Sequence, residues 1–218
     1  MSQEFLQFLS TKNQKIIKEL NTPELVQTFV DQKVIYDPDR EDRTIEEILD
    51  DGQGECYNGA LLAATCLMVA NFEVSLVRIE ARGGDEEHIL CVYKQNGYFG
   101  SIAQSKFLGL KGRKPIYRTV RDLVVSYQEF YFGFDGKYTL LAFHQPISLE
   151  NYQYAWLNDR QSVLQIAEDL KVSPVEEIVK LDDPYFFVDP KRYWNEILYI
   201  PKWAKIPEKY LKAKTKKA

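Results

Sequence analysis

Histidine is almost missing from this chain. Among 218 residues there are two histidines, His88 and His144, and three cysteines, Cys56, Cys66 and Cys91. Three cysteines without regular spacing exclude a disulfide framework and fit a reduced, cytoplasmic protein. These five residues also lack the paired spacing of a zinc site, so no metal is expected. Positive charge is not in excess, and a net charge of −4 argues against a nucleic-acid partner. No apolar run approaches the ~20 residues that span a bilayer, which excludes a membrane helix. The opening Met1-Ser2-Gln3-Glu4-Phe5 has neither the basic region nor the apolar run of a signal peptide. There is no Gly-x-Gly-x-x-Gly after a strand, no phosphate loop and no acidic calcium loop, so no cofactor is expected.

What is present is a soluble, globular composition, 45% hydrophobic and 28% charged, in a chain long enough to bury a real core. Its centre is Gly52-Gln53-Gly54-Glu55-Cys56-Tyr57-Asn58-Gly59-Ala60, continuing to Leu67. A glycine-punctuated loop feeds a helix of small apolar residues, expected from about Gly54 to Ala70, with Cys56 in its first turn. Unpaired first-turn amides and the positive end of the helix dipole favour a thiolate there. Cys56 therefore stands where a nucleophilic cysteine belongs, although free cysteines are more often plain core residues.

Ahead of that loop, residues 3–20 carry a weakly amphipathic helix. Thr22-Pro23-Glu24 restarts helical structure with a cap and a first-turn proline, and Leu25, Phe29 and Val30 give its apolar face. Thr44-Ile45-Glu46-Glu47 fits a capping box for a short helix ending near Gly52. After Asn71 the period becomes alternating. Strands are expected through Val74, Leu76 and Ile79, from His88 to Tyr93 and from Tyr98 to Ala103. Asn96-Gly97 is the hairpin turn between the last two. Arg121 to Tyr131 reads as a helix and Tyr138 to Phe143 as a strand. Helices first and antiparallel strands afterwards indicate an α+β fold.

The chain divides into a core with N-terminal helices, residues 1–147, and an extension packed on it, residues 148–218. The extension holds a helix at about Gln161 to Leu170 and a second short one capped by Ser173 in Ser173-Pro174-Val175-Glu176-Glu177. Beyond lies an aromatic run from Tyr185 to Trp203, read as packing surface and as a surface for a homodimer, then a lysine-rich tail.

With two histidines, a thiol has little choice of partner. His88 follows Cys56 by 32 residues and opens the strand that pairs across Asn96-Gly97. A cysteine at a helix start and a histidine on a neighbouring strand suit a thiol nucleophile, the imidazole taking its proton as it attacks an acyl carbonyl. His144, beside Gln145-Pro146, reads as satisfied or exposed. Cys66 and Cys91 read as core.

The order of Gly-x-Cys on a helix, strand, histidine on a strand, Asn-Gly hairpin and strand resembles the transglutaminase-like superfamily of the papain-like cysteine fold. The likeness is closest to a bacterial branch and spans roughly residues 20–150. It continues through Tyr98-Phe99-Gly100-Ser101-Ile102, Ser105-Lys106-Phe107, Arg113-Lys114-Pro115-Ile116-Tyr117-Arg118, Ser126-Tyr127 with Tyr131-Phe132, and Thr139-Leu140 with Pro146 and Leu149. The resemblance implies a buried Cys-bearing helix packed on an antiparallel sheet. It also implies a Cys-His-Asp triad acting on a peptide or protein acyl substrate, by amide hydrolysis or transamidation.

Cys56 and His88 match the first two triad positions. The family's aspartate would fall near Ile102 or Ala103, which cannot replace it. Ser101, Gln104 and Ser105 are the polar residues of that strand. The hairpin register sets Ser105 opposite His88, on the face shared with Ser101, and a one-residue slip would favour Gln104 instead. Gln53 is a candidate oxyanion donor with the Cys56 amide, or simply a polar loop residue. Two functions follow: a thiol acyl-transfer enzyme, or a catalytically inactive domain of the same fold that binds or scaffolds.

Overall fold

The computed structural model of the chain describes residues 3–39, 42–82, 85–131 and 138–179. Its N-terminal part is a set of capped helices. After a 3-10 turn over Gln3–Phe8 comes α1 (Thr11–Glu19), with Ser10 as cap. Ser10 thus splits the single helix expected over 3–20. In α2 (Pro23–Lys33) Thr22 accepts from Leu25 N–H, and Pro23 occupies the first turn, where no amide partner is lost. Its buried face is Pro23, Val26 and Val30, whereas Leu25 is 47% exposed and does not belong to it.

Strand β1 (Ile35–Tyr36) pairs in parallel with β2 (Gln53–Gly54), and α3 (Ile45–Asp51) lies between them. Both halves of the α3 capping box form, Thr44 receiving Glu47 N–H and Glu47 receiving Thr44 N–H. Gly52 closes this helix at φ 64°, and a Cβ there would stand 2.8 Å from the Lys33 carbonyl. Glycine is therefore required at that position.

Helix α4 (Cys56–Val69) runs through the centre, buried at every residue from Tyr57 to Val69. It ends in a Schellman motif: Phe72 N–H reaches Leu67 O at 2.9 Å and Asn71 N–H reaches Met68 O at 3.0 Å, with Asn71 at φ 62°. The chain is thereby turned into the sheet. Strands β3 (Glu73–Ala81), β4 (His88–Gln95), β5 (Tyr98–Ile102), β6 (Arg113–Tyr117), β7 (Leu140–His144) and β8 (Val175–Glu177) form six antiparallel members in the order β6-β5-β4-β3-β7-β8. Asn96 and Gly97 both have positive φ, 52° and 83°, as a type I′ hairpin needs. The register is the expected one, running from Gln95 opposite Tyr98 to Cys91 opposite Ile102.

Alternation gives the sheet two apolar faces. Leu76, Cys91, Tyr93 and Ile102 join α4 in the main core. Val77, Ile79, Leu90 and Val92 meet Leu123, Val124, Tyr127 and Tyr131 on the other side. The helix expected from Arg121 to Tyr131 is shorter: α5 (Val120–Val125), then a 3-10 turn at Gln128–Phe130.

Leu149, Trp156 and Leu157 enter the main core, as do Val163, Ile166 and Leu170 of α6 (Arg160–Val172). Residues 149–170 are thus part of the same core as α4. Trp156 Nε1–H donates to Thr65 Oγ1 at 3.0 Å, and Tyr57 O–H to Val163 O at 2.6 Å. The segment after Ser173 is not a helix. It is strand β8, pairing with β7 through Val175 opposite His144 and Glu177 opposite Ala142. The open edge of β7 offers more backbone hydrogen bonds than one isolated turn could make. The aromatic run from Tyr185 to Trp203 and the lysine-rich tail lie outside the described residues. No helix among the described residues is long and apolar enough to cross a membrane.

Candidate functional site

The N-terminus of α4 opens on a cleft of about 450 Å³ whose walls include Tyr36, Glu55, Cys56, Arg78, Glu86 and Ile89. Glu55 is the helix cap: its carboxylate accepts from Tyr57 N–H at 2.8 Å and Asn58 N–H at 3.0 Å. Asn58 returns the bond, accepting from Glu55 N–H at 3.2 Å. The cap that builds the helix start therefore sets a negative charge beside Cys56.

That charge reverses the expectation for the thiol. Burial first, then the adjoining Glu55 carboxylate, push Cys56 well above the ordinary thiol value. The Ile89 backbone N–H, donated to the sulfur, acts in the opposite direction and is outweighed. The helix dipole, worth about 1 kcal/mol at such a position, does not offset a full carboxylate charge and desolvation together. Cys56 rests as a thiol.

Ile89 directly follows His88, so the thiol packs on the peptide bond that joins them. The imidazole is 3% exposed. Its Nε2–H donates to the Leu110 carbonyl at 2.7 Å, and its ring meets Tyr127 edge-on at 6.3 Å between centroids. Because a carbonyl only accepts, Nε2 carries the hydrogen in the neutral ring and Nδ1 carries the lone pair. Burial drives the His88 pKa down to about 4, Leu110 pulling it up and the Arg113 charge lowering it further. Among the described residues no hydrogen bond joins the thiol to the ring. What the fold brings together is the sulfur and the histidine's backbone.

The Leu110 carbonyl is fixed by its own loop. A 3-10 turn spans Leu108–Leu110, and Arg113 donates to Gly109 O at 2.6 Å and Lys111 O at 2.8 Å while stacking on Tyr127 at 3.9 Å. Gly109 lies so close to Phe130 that a Cβ would come within 2.0 Å of its ring.

The other candidates have different partners. Ser105 Oγ accepts from Phe107 N–H at 3.0 Å within its own turn, just past the end of β5. Gln104 donates to Val34 O at 2.6 Å and presses its Cβ into the space left by Gly59, which places it against α4. Ser101 shares a hydrogen with Tyr127 Oη at 2.7 Å and accepts from Arg113 N–H at 3.0 Å. Gln53 belongs to β2 opposite Ile35, and its own N–H goes to Asp51 at 3.1 Å. It is not among the residues lining the cleft. His144 is buried in a network with Arg78 Nη1 at 2.8 Å, Glu80 at 2.7 Å and Ser173 O at 3.0 Å. Cys66 and Cys91 are fully buried, and burial pushes both thiols up.

Several groups escape a reading of the sequence. Glu86, whose negative charge acts on both Cys56 and His88, takes the ammonium of Lys106 at 2.8 Å. Lys106 is itself 2% exposed, over the Tyr36 ring. Asp85 accepts from Thr139 Oγ1, and burial raises its carboxyl above the usual range. Nothing in the spacing of Asp85-Glu86-Glu87 distinguishes these acids from a solvated loop. The Leu110 carbonyl, being backbone, has no residue-type signature. No protein-family model matches the chain, and no curated protein matches it.

Proposed function

We propose that the chain is a transglutaminase-like thiol acyl-transfer enzyme of the papain-like fold, working on peptide or protein amides in the cytoplasm. The observation that carries this reading is the Cys56 thiol, facing the cleft against the backbone N–H of Ile89, the residue that follows a histidine whose tautomer Leu110 sets. The carbonyl takes the place of the missing triad carboxylate. It fixes which nitrogen is basic, but supplies no charge to stabilise an imidazolium.

In the reaction, the Cys56 proton passes to His88 Nδ1 as the sulfur–carbon bond forms. The leaving amine takes that proton as the carbon–nitrogen bond breaks, leaving a thioester. Water or an amine then attacks the thioester, giving its proton to His88, and the thiol is regenerated. Because both groups rest neutral, proton transfer accompanies attack, and the Nδ1 edge must close on the sulfur as substrate binds.

A second reading, an inactive binding domain of the same fold, draws on the Glu55 carboxylate beside the thiol, which opposes ionisation. Intact-mass analysis after exposure to 4-nitrophenyl acetate separates the two. The enzyme reading expects an acetyl adduct on Cys56 that is absent from Cys56→Ala. An unmodified wild-type Cys56 supports the binding domain.

A further inference from the structure

His144 is buried at the far end of the cleft wall, where the pairing of β3 with β7 through Ile79 and Phe143 sets it beside Arg78. Its Nδ1 lies 3.0 Å from the carbonyl of Ser173, the C-cap of α6. A carbonyl only accepts, so Nδ1 carries a hydrogen whether the ring is neutral or charged. Nε2 is the atom at which the ring can gain or lose a proton. It stands 2.8 Å from Arg78 Nη1, which is always a donor, and 2.7 Å from Glu80 Oε1, an acceptor when ionised. One nitrogen cannot serve both. Without a proton it accepts from Arg78 and faces a carboxylate lone pair; with one it donates to Glu80 and faces a second cation.

The surrounding charges come from separate elements. Arg78 and Glu80 belong to β3, and Glu87, ahead of β4, accepts from Arg78 Nε at 2.9 Å and from Nη2. On the other side, β8 places Val175 opposite His144, and its Glu176 takes Gln145 and Arg121 instead. With a neutral ring the cluster holds one guanidinium against two carboxylates, and a proton on Nε2 balances it. Arg78 Nη1 then has only Glu80 at 3.4 Å to return to. Arg78 and Glu87 both line the cleft that Cys56 faces.

We propose that His144 is a proton-operated latch on the cleft wall. Uncharged, it holds Arg78 to β7 through Nε2; charged, it turns to Glu80 and releases Arg78, with Glu87, toward the cleft. The latch does not depend on acyl transfer at Cys56.

Nitrogen NMR of the uniformly labelled full chain tests it, because two histidines leave few ring signals to assign and His144→Gln and Arg78→Lys identify the pair. As pH is lowered, Nε2 of His144 is expected to gain its hydrogen while Nδ1 keeps its own. The Arg78 Nε–H resonance should move along the same curve. Glu80→Gln, whose amide can donate to the uncharged ring, should need a lower pH for the same step. An Arg78 resonance that stays in place while Nε2 takes its proton would overturn the latch. So would a ring that loses hydrogen from Nδ1, an Nε2 that keeps one state until the fold is lost, or a step unchanged in Glu80→Gln.

Discussion

The imidazole of His88 gives its Nε2 hydrogen to the carbonyl oxygen of Leu110 at 2.7 Å. A strand opening and a 3-10 turn 22 residues later are thereby tied together, and the tautomer of the one candidate base is fixed by backbone. The same bond anchors a histidine that stays neutral in the folded chain.

That neutrality makes stability depend on pH. Unfolded, His88 takes up a proton below about pH 6.5, whereas folded it does so only near pH 4. The unfolded state binds more protons throughout this window, so stability is full above it and falls as pH drops through it. The contribution lost between pH 7 and 4.5 is about 2–3 kcal/mol. The raised carboxyl of Asp85 acts with the opposite sign, so His88 is isolated by difference. Urea unfolding of wild type and His88→Gln at both pH values should show the smaller acid loss in the variant.

Burial and the adjoining Glu55 carboxylate together hold Cys56 as a thiol. Iodoacetamide alkylation of the wild type should climb through pH 9 without a plateau, as expected of a thiol raised by burial and an adjoining carboxylate. Glu55→Gln removes the charge and keeps one capping oxygen. Alkylation at pH 8 should accelerate, because one of the causes that raise the thiol is removed, while helix capping weakens by about 1 kcal/mol.

Gly59 gives Gln104 its place against the central helix. A Cβ at residue 59 would stand 2.3 Å from Gln104 Cβ. Gly59→Ala gains about 1 kcal/mol of helix propensity, yet overpacking at such a contact outweighs it. Net destabilisation of about 1–3 kcal/mol is expected in thermal melts.

Trp156 docks the C-terminal extension on α4 through Thr65 at 3.0 Å. Thr65→Val keeps the shape and strands the indole N–H in the core, at a cost of about 1–3 kcal/mol. Chemical denaturation should show one transition moved to lower denaturant, since residues 149–170 share the core of α4.

The legible parts of this fold were those written in local chemistry. The Thr22 and Thr44 caps, the Asn96-Gly97 turn and the small-residue helix after Cys56 each follow from a few adjacent residues. What depends on distant partners did not show. Val175–Glu177 is a strand because β7 has an edge to fill, although its local sequence suits a helix start. Leu25 loses its expected place in the core to Val26, a rotation that only packing decides. At the site, position alone pointed to Cys56 and His88, but the sign of the thiol's shift depends on Glu55 and burial. His88's orienting group is a carbonyl that no residue type announces.

The most direct test of the Cys56–His88 pairing is the rate of Cys56 acetylation by 4-nitrophenyl acetate in wild type and His88→Ala, normalised to iodoacetamide alkylation. A base that takes the thiol proton during attack predicts a loss of about 10²-fold or more in the variant. Equal normalised rates would contradict the pairing and leave Cys56 as a thiol lining a binding cleft.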